Sequence, residues 1–192
     1  MKSLMDFITD FGDQAVLLPL IVVTGGGFAA SGWRRGAYAW LIGISATYLV
    51  TLLLKLTLLD CSGTDAGTIS SPSGHTAAAA IVYGTLLGIA CRVLTRRISL
   101  ILLPAAVVGS IIGISRVLLG VHSVAEVTLG AAVGIVGAWG TLLAAGDPPP
   151  GLRRRRIAAA SLLLLVLLHG MRFPAEAAIR ALQSEWPVSF CR

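Results

Sequence analysis

The chain has 192 residues, of which 56% are hydrophobic and 12% charged, about half the charged fraction of a soluble domain. These values exclude an ordinary soluble enzyme and indicate an integral membrane protein, with room for one helical bundle and no second domain. The apolar stretches are continuous instead of alternating, which excludes a β-barrel. A net charge of +6 would suit a nucleic-acid binder only if the basic residues formed one patch.

In chain order, residues 1–13 come first. They carry Asp6, Asp10 and Asp13 against Lys2 alone, so they do not form a secretory signal. Leu4, Met5, Ile8 and Phe11 recur at helical spacing, and a short helix lying in the membrane interface is predicted. Six apolar segments follow, at roughly 14–31, 37–59, 75–94, 98–115, 123–145 and 157–171. At 1.5 Å per residue most can cross a core of about 30 Å. Small residues such as Gly130 and Gly134 would let helices approach closely. "GDPPPGLRRRR", residues 146–156, reads as a loop outside the membrane, since three prolines end a helix and four arginines resist lipid. The tail, 172–192, is apolar enough to lie as an interfacial helix. The expected fold is an all-α, six-transmembrane-helix bundle, one membrane-embedded domain over residues 1–192.

Six spans divide the charges between two sides. One side receives Arg34, Arg35, Arg92, Arg96, Arg97 and Arg153 to Arg156 against Asp147 alone. The other receives both termini, with Lys2, Lys55, Arg116, Arg172, Arg180 and Arg192 against the remaining eight acids. The positive-inside rule makes the arginine-rich side cytoplasmic and places both termini outward, on the periplasmic side of a bacterial inner membrane. The basic residues are then topological anchors, and nucleic acid is not a partner.

On the outward side three segment ends converge: Lys55, the stretch "SPSGH" from Ser71 to His75, and "SRVLLGVHSVAE" from Ser115 to Glu126. Ionisable residues sharing one depth in a bundle point to a functional site. Each also has an ordinary structural reading. Lys55 could be a snorkelling anchor, Ser73-Gly74 a plain helix N-cap, and Arg116 an interface residue. His169 has no partner in sequence and reads as packing or interfacial. Jointly the residues describe more. A helix N-terminus at Ser73, Gly74 and His75 offers N–H groups and a positive dipole to a phosphate. Arg116 adds bidentate recognition and Lys55 a point charge. Glu126, four residues after His122, can hold the imidazole and leave its other nitrogen as a nucleophile.

The set Lys55, Ser71-Pro72-Ser73-Gly74-His75, and Ser115-Arg116 with His122 and Glu126 resembles the type 2 phosphatidic-acid phosphatase superfamily, in its membrane lipid phosphatase branch. The resemblance covers about residues 37–145. It implies a phosphoric ester or diphosphate hydrolase with His122 as nucleophile, forming a phosphohistidine, and His75 as general acid. Glu126 would orient His122, and Lys55, Ser73, Gly74 and Arg116 would bind the phosphoryl oxygens. No metal or other cofactor is expected. The partner is a membrane lipid substrate such as undecaprenyl diphosphate, phosphatidic acid, phosphatidylglycerol phosphate or lipid A phosphate. Two positions depart from the family pattern: Ser62-Gly63 stands where it has Arg-Pro, and Glu126 where it has Asp. A lipid phosphotransferase using the same site, or a catalytically weakened lipid-binding membrane protein, are the alternatives. Cys61 and Cys191 both fall on the outward side, where a disulfide could tie the tail across the active-site loop, whereas Cys91 falls at the cytoplasmic end and stays a thiol.

Overall fold

A computed structural model describes residues 2–61, 71–92, 97–175, 177–179 and 181, without the side chains of 59–61, 98 and 99. Seven helices run between residues 2 and 168: α1 (Lys2–Asp10), α2 (Gln14–Ala30), α3 (Arg34–Cys61), α4 (Gly74–Cys91), α5 (Ile98–Leu118), α6 (Val124–Ala145) and α7 (Arg154–Leu168); residues 175, 177–179 and 181 are helical as well. The protein is thus an all-α polytopic membrane protein, and the six predicted segments correspond to α2 through α7. Five stretches among the described residues are long and apolar enough to cross a membrane: Lys2–Ala30, Arg34–Leu58, Gly74–Cys91, Leu100–Leu118 and Val124–Ala145. The sixth segment, the shortest of those predicted, is not among them, because α7 has 15 residues and rises only about 22 Å. Its first turn holds Arg154 to Arg156, and Gly170, at φ +85°, follows it in a left-handed conformation that other residues avoid.

Helix α4 is the central member, flanked by α5 and α6, with Ala77 to Val82 almost fully buried. Four successive alanines, 77 to 80, leave no bulky side chain on any face there, so neighbours can approach from all round. The outer faces of α3, α5 and α7 expose Ile42, Leu49, Leu103, Ile114, Leu163 and Val166, an apolar surface that suits lipid. Where α3 meets α6, each helix offers a glycine to the other's threonine. A Cβ at Gly43 would collide with Thr141, and one at Gly137 with Thr47. Both threonines return their hydroxyls to their own helix, Thr47 to the Gly43 carbonyl at 2.9 Å and Thr141 to the Gly137 carbonyl at 2.7 Å.

The two ends of the bundle differ in charge, as the threading predicts. At one end Arg35 Nε donates to the Ala144 carbonyl at 2.7 Å and Arg92 Nη1 to the Gly146 carbonyl at 2.8 Å. These bonds close the C-terminus of α6, where cations complement the exposed carbonyls. Arg153 adjoins the same end, its N–H 3.5 Å from Ser31 Oγ. The opposite end carries the C-terminus of α3, the N-termini of α2, α4 and α6, and the catalytic and phosphate-binding candidates. Cys91 lies at the arginine-rich end and is a free cysteine. Cys191 and the side chain of Cys61 lie outside the described residues, so the expected bridge does too, as do Ser62, Gly63 and residues 182–192 of the tail.

Candidate active site

Glu126 is the junction of this end. It is the third residue of α6, whose N-cap Ser123 takes the Glu126 N–H on its hydroxyl while Glu126 Oε2 takes the Ser123 N–H at 2.9 Å, a reciprocal capping box. The sequence "HSVAE" therefore folds locally so as to turn the glutamate back over the start of its helix. The same Oε2 lies 3.1 Å from His122 Nδ1. A carboxylate can only accept, so the ring donates from Nδ1 and its Nε2 carries the lone pair. Oε1 reaches across to the next element and accepts the backbone N–H of Ser71 at 3.0 Å. The Glu126 carbonyl also accepts the Ser73 N–H at 3.0 Å. Residues 71–73 are thereby bound to the first turn of α6 by two hydrogen bonds.

This attachment places the N-terminus of α4. Ser73 is its N-cap, accepting from the Thr76 hydroxyl at 2.9 Å and more distantly from the Thr76 N–H. As acceptor in both, Ser73 keeps its own hydroxyl proton to donate. Gly130 lets α6 lie directly on the cap, since a Cβ there would sit 2.5 Å from the Ser73 carbonyl oxygen. Lys55, 3% exposed, comes from α3 to the first residue of α4. A Cβ on Gly74 would be 3.5 Å from Lys55 Cε. A buried lysine beside a helix N-terminus concentrates positive potential where first-turn N–H groups already point outward.

His75 lies one residue further along and faces a cavity of about 430 Å³ that Arg116 also lines, together with Lys2, Asp10, Asp13 and Arg172. His122, Glu126, Lys55, Ser73 and Gly74 are not among its lining residues. The N-terminal segment forms its cover. Gly12 rests on His75, Tyr83 donates to the Phe11 carbonyl at 2.8 Å, and Arg116 Nη1 lies 3.4 Å from Thr9 Oγ1. The segment after α7 holds α1 down. Arg172 pairs with Asp10 at 2.9 Å and Asp6 at 3.3 Å. His169, which showed no partner in sequence, packs its ring at a tilt against Phe7 and Phe11 and places Nε2 3.0 Å from the Phe7 carbonyl.

Burial holds the pKa of His122 below the ordinary imidazole value, and the charges of Arg116 and Lys55 push the same way, with Glu126 opposing them. Near neutral pH the ring is therefore uncharged, with a lone pair to offer. Of the residues that the sequence singled out, hydrogen bonds join His122, Glu126, Ser71 and Ser73, and Lys55 lies beside Gly74, while His75 and Arg116 line the adjoining cavity. Sequence reasoning missed Asp13 and Arg172 as site neighbours. The signal for Asp13 was its place just before an apolar run, where an aspartate caps a helix; nothing in the spacing pointed to Arg172.

Residues 56–148 match the PAP2 superfamily, a stretch that includes every catalytic and phosphate-binding candidate except Lys55. Phosphatidylglycerophosphatase B of Bacillus subtilis (strain 168) is 30% identical over 144 residues, which covers 71% of this chain and 71% of that protein. No solved structure gives a significant match.

Proposed function

The chain belongs to the PAP2 superfamily, and from that premise we propose that it is an integral-membrane lipid phosphatase hydrolysing a lipid phosphate or diphosphate through a phosphohistidine. The observation that carries this reading is the His122–Glu126 pair, with Nδ1 held at 3.1 Å by a carboxylate that the Ser71 and Ser123 N–H groups fix in turn.

In the first step His122 Nε2 attacks phosphorus. The N–P bond forms as the bond from phosphorus to the lipid oxygen breaks, and His75 gives its proton to the departing oxygen. Glu126 stabilises the positive charge that develops on His122. In the second step a water oxygen attacks the phosphohistidine, the N–P bond breaks, and the water's proton passes to His75, which restores both histidines. Lys55, Arg116, the Ser73 hydroxyl and the N–H groups of Gly74 and His75 neutralise the phosphoryl oxygens. Charge stabilisation of this kind is the main contribution to phosphoryl transfer. By the positive-inside rule the site opens on the outer face, with the Arg35–Arg92–Arg153 end in the cytoplasm. Residues 1–192 act as one domain.

The name of the B. subtilis relative makes phosphatidylglycerol phosphate the first substrate to test, beside phosphatidic acid, undecaprenyl diphosphate and a lipid A phosphate. Detergent-solubilised protein should release inorganic phosphate from at least one, and His122→Ala should abolish the release. Phosphoryl transfer to an added lipid without free phosphate would make the protein a transferase. No turnover of any of the four, with binding retained, would make it a lipid binder.

A further inference from the structure

The geometry points to Asp13 as the positioning residue of His75, doing for that histidine what Glu126 does for His122. The inference rests on the general-acid reading of His75 given above.

Asp13 is the N-cap of α2 and its Oδ1 accepts the Ala15 N–H at 2.9 Å. The same oxygen accepts the Phe173 N–H at 2.8 Å. Two donors from separate parts of the chain therefore fix the carboxylate's rotamer, and they leave Oδ2 aimed at His75 Nε2, 3.6 Å away. Capping alone does not account for this. An N-cap needs one accepting oxygen, which serine or asparagine supplies as well, whereas a carboxylate only 5% exposed costs free energy unless its charge is matched. The approach to His75 is also built into the backbone. A Cβ at Gly12 would lie 3.3 Å from both His75 Cβ and the His75 carbonyl oxygen, so the turn at 11–13 is seated on the histidine itself.

The other charges around His75 define what this carboxylate does. Lys2, Asp6 and Asp10 line the cavity from the N-terminal segment, Arg116 from α5 and Arg172 from the segment after α7. Lys55 of α3 lies beside Gly74, and Glu126 is engaged with His122. Asp6 and Asp10 are taken up by Arg172. With Asp6 and Asp10 engaged by Arg172, Asp13 is the carboxylate that faces the His75 ring and orients it until its proton moves to the leaving oxygen.

Asp13→Asn tests this, because asparagine keeps the cap and the shape while removing the charge. Turnover of an alkyl lipid phosphate should fall about tenfold or more, within the range general acid catalysis supplies. Turnover of an aryl phosphate, whose leaving group departs without a proton, should change less than about twofold, and KM should move little for either. The same split should be larger in His75→Ala, and the double variant should be no slower than His75→Ala alone, since Asp13 acts through His75. Equal losses on both substrates in Asp13→Asn, or none, would overturn the inference, provided His75→Ala shows the split. If His75→Ala shows no split, the general-acid reading fails and the role of Asp13 falls with it. Comparing melting temperatures of Asp13→Asn and Asp13→Ser, both of which cap, separates a folding defect from a loss of charge.

Discussion

Glu126 Oε1 accepts the N–H of Ser71 at 3.0 Å and so spans 55 positions of sequence to tie the segment leading into α4, whose second residue is His75, to the first turn of α6, whose glutamate holds His122. The bond gives one carboxylate two tasks, orienting a ring and closing a loop. Changing Glu126 to glutamine should expose both. The amide can accept at one oxygen only, so at least one of the buried donors loses its partner, at a cost of about 1–3 kcal/mol. We predict a lower melting temperature together with a fall of about a hundredfold in kcat, with KM less affected. Phosphate-release kinetics beside a thermal melt in the same detergent would check both effects.

The pH dependence follows from His122. Its pKa in the folded protein lies below the ordinary value of 6.5 because the ring is buried among cations. As pH falls, the unfolded chain takes up this proton first. The residue's contribution to stability is therefore complete above about pH 6.5 and declines as the pH drops toward the folded value. Activity should hold further into acid than a free imidazole would allow, with an acid limb below pH 6.5. Since Glu126 raises the pKa, Glu126→Gln should move that limb to still lower pH. A profile of kcat/KM between pH 4 and 8, about the range over which histidine titrates, would measure the shift.

Gly130→Ala should damage the site without touching a polar group. Its new methyl would meet the Ser73 carbonyl at 2.5 Å, and the backbone must shift to admit it. A loss of about 1–3 kcal/mol is expected, with a larger relative loss of activity because Ser73 caps α4. Gly140→Ala in the same helix meets nothing within 4 Å and should be neutral or slightly stabilising. Thermal melts of the pair separate the steric effect from the general gain of replacing a helical glycine.

Arg172 should matter to the cover more than to the fold. Its side chain is 58% exposed, so its ion pairs with Asp6 and Asp10 contribute less than about 1 kcal/mol to stability. Arg172→Gln should leave the melting temperature nearly unchanged yet speed hydrogen exchange across residues 6–13, and raised salt should reproduce the effect in the parent protein.

Topology is open to a separate check. Membrane-impermeant thiol reagents applied to intact cells should reach a cysteine placed near residue 2 and miss one placed near Arg154. The reverse pattern would turn the site toward the cytoplasm.

Much of the bundle was legible because apolar runs and helix stops are local properties. The predicted 14–31 became Gln14–Ala30, and 123–145 became Val124–Ala145. The second segment runs longer than its apolar part, from Arg34 to Cys61, since backbone hydrogen bonding continues where hydrophobicity stops. The His122–Glu126 pair was readable from its four-residue spacing, although His122 precedes the N-cap and the capping box is what turns the glutamate back to it. Asp13 facing His75 was not, nor was Arg172 on α1. These meetings depend on how separate helices dock, which periodicity within each helix does not encode. His169 shows the same limit: its aromatic partners lie at the other end of the chain.

The contact between α3 and α6 has a property that its composition conceals. Four of its members, Gly43, Thr47, Gly137 and Thr141, include two hydroxyl-bearing residues, yet each threonine spends its hydroxyl on its own helix. Neither threonine hydroxyl crosses to the other helix, so these four residues fit one another by volume. Thr47→Val and Thr141→Val, which keep the branched outline, should be accepted, because the Gly43 and Gly137 carbonyls retain their helical N–H donors. A single methyl added to either glycine should force the helices apart. In a solvent as apolar as the side chains themselves, shape is what remains to hold this stretch of the two helices together.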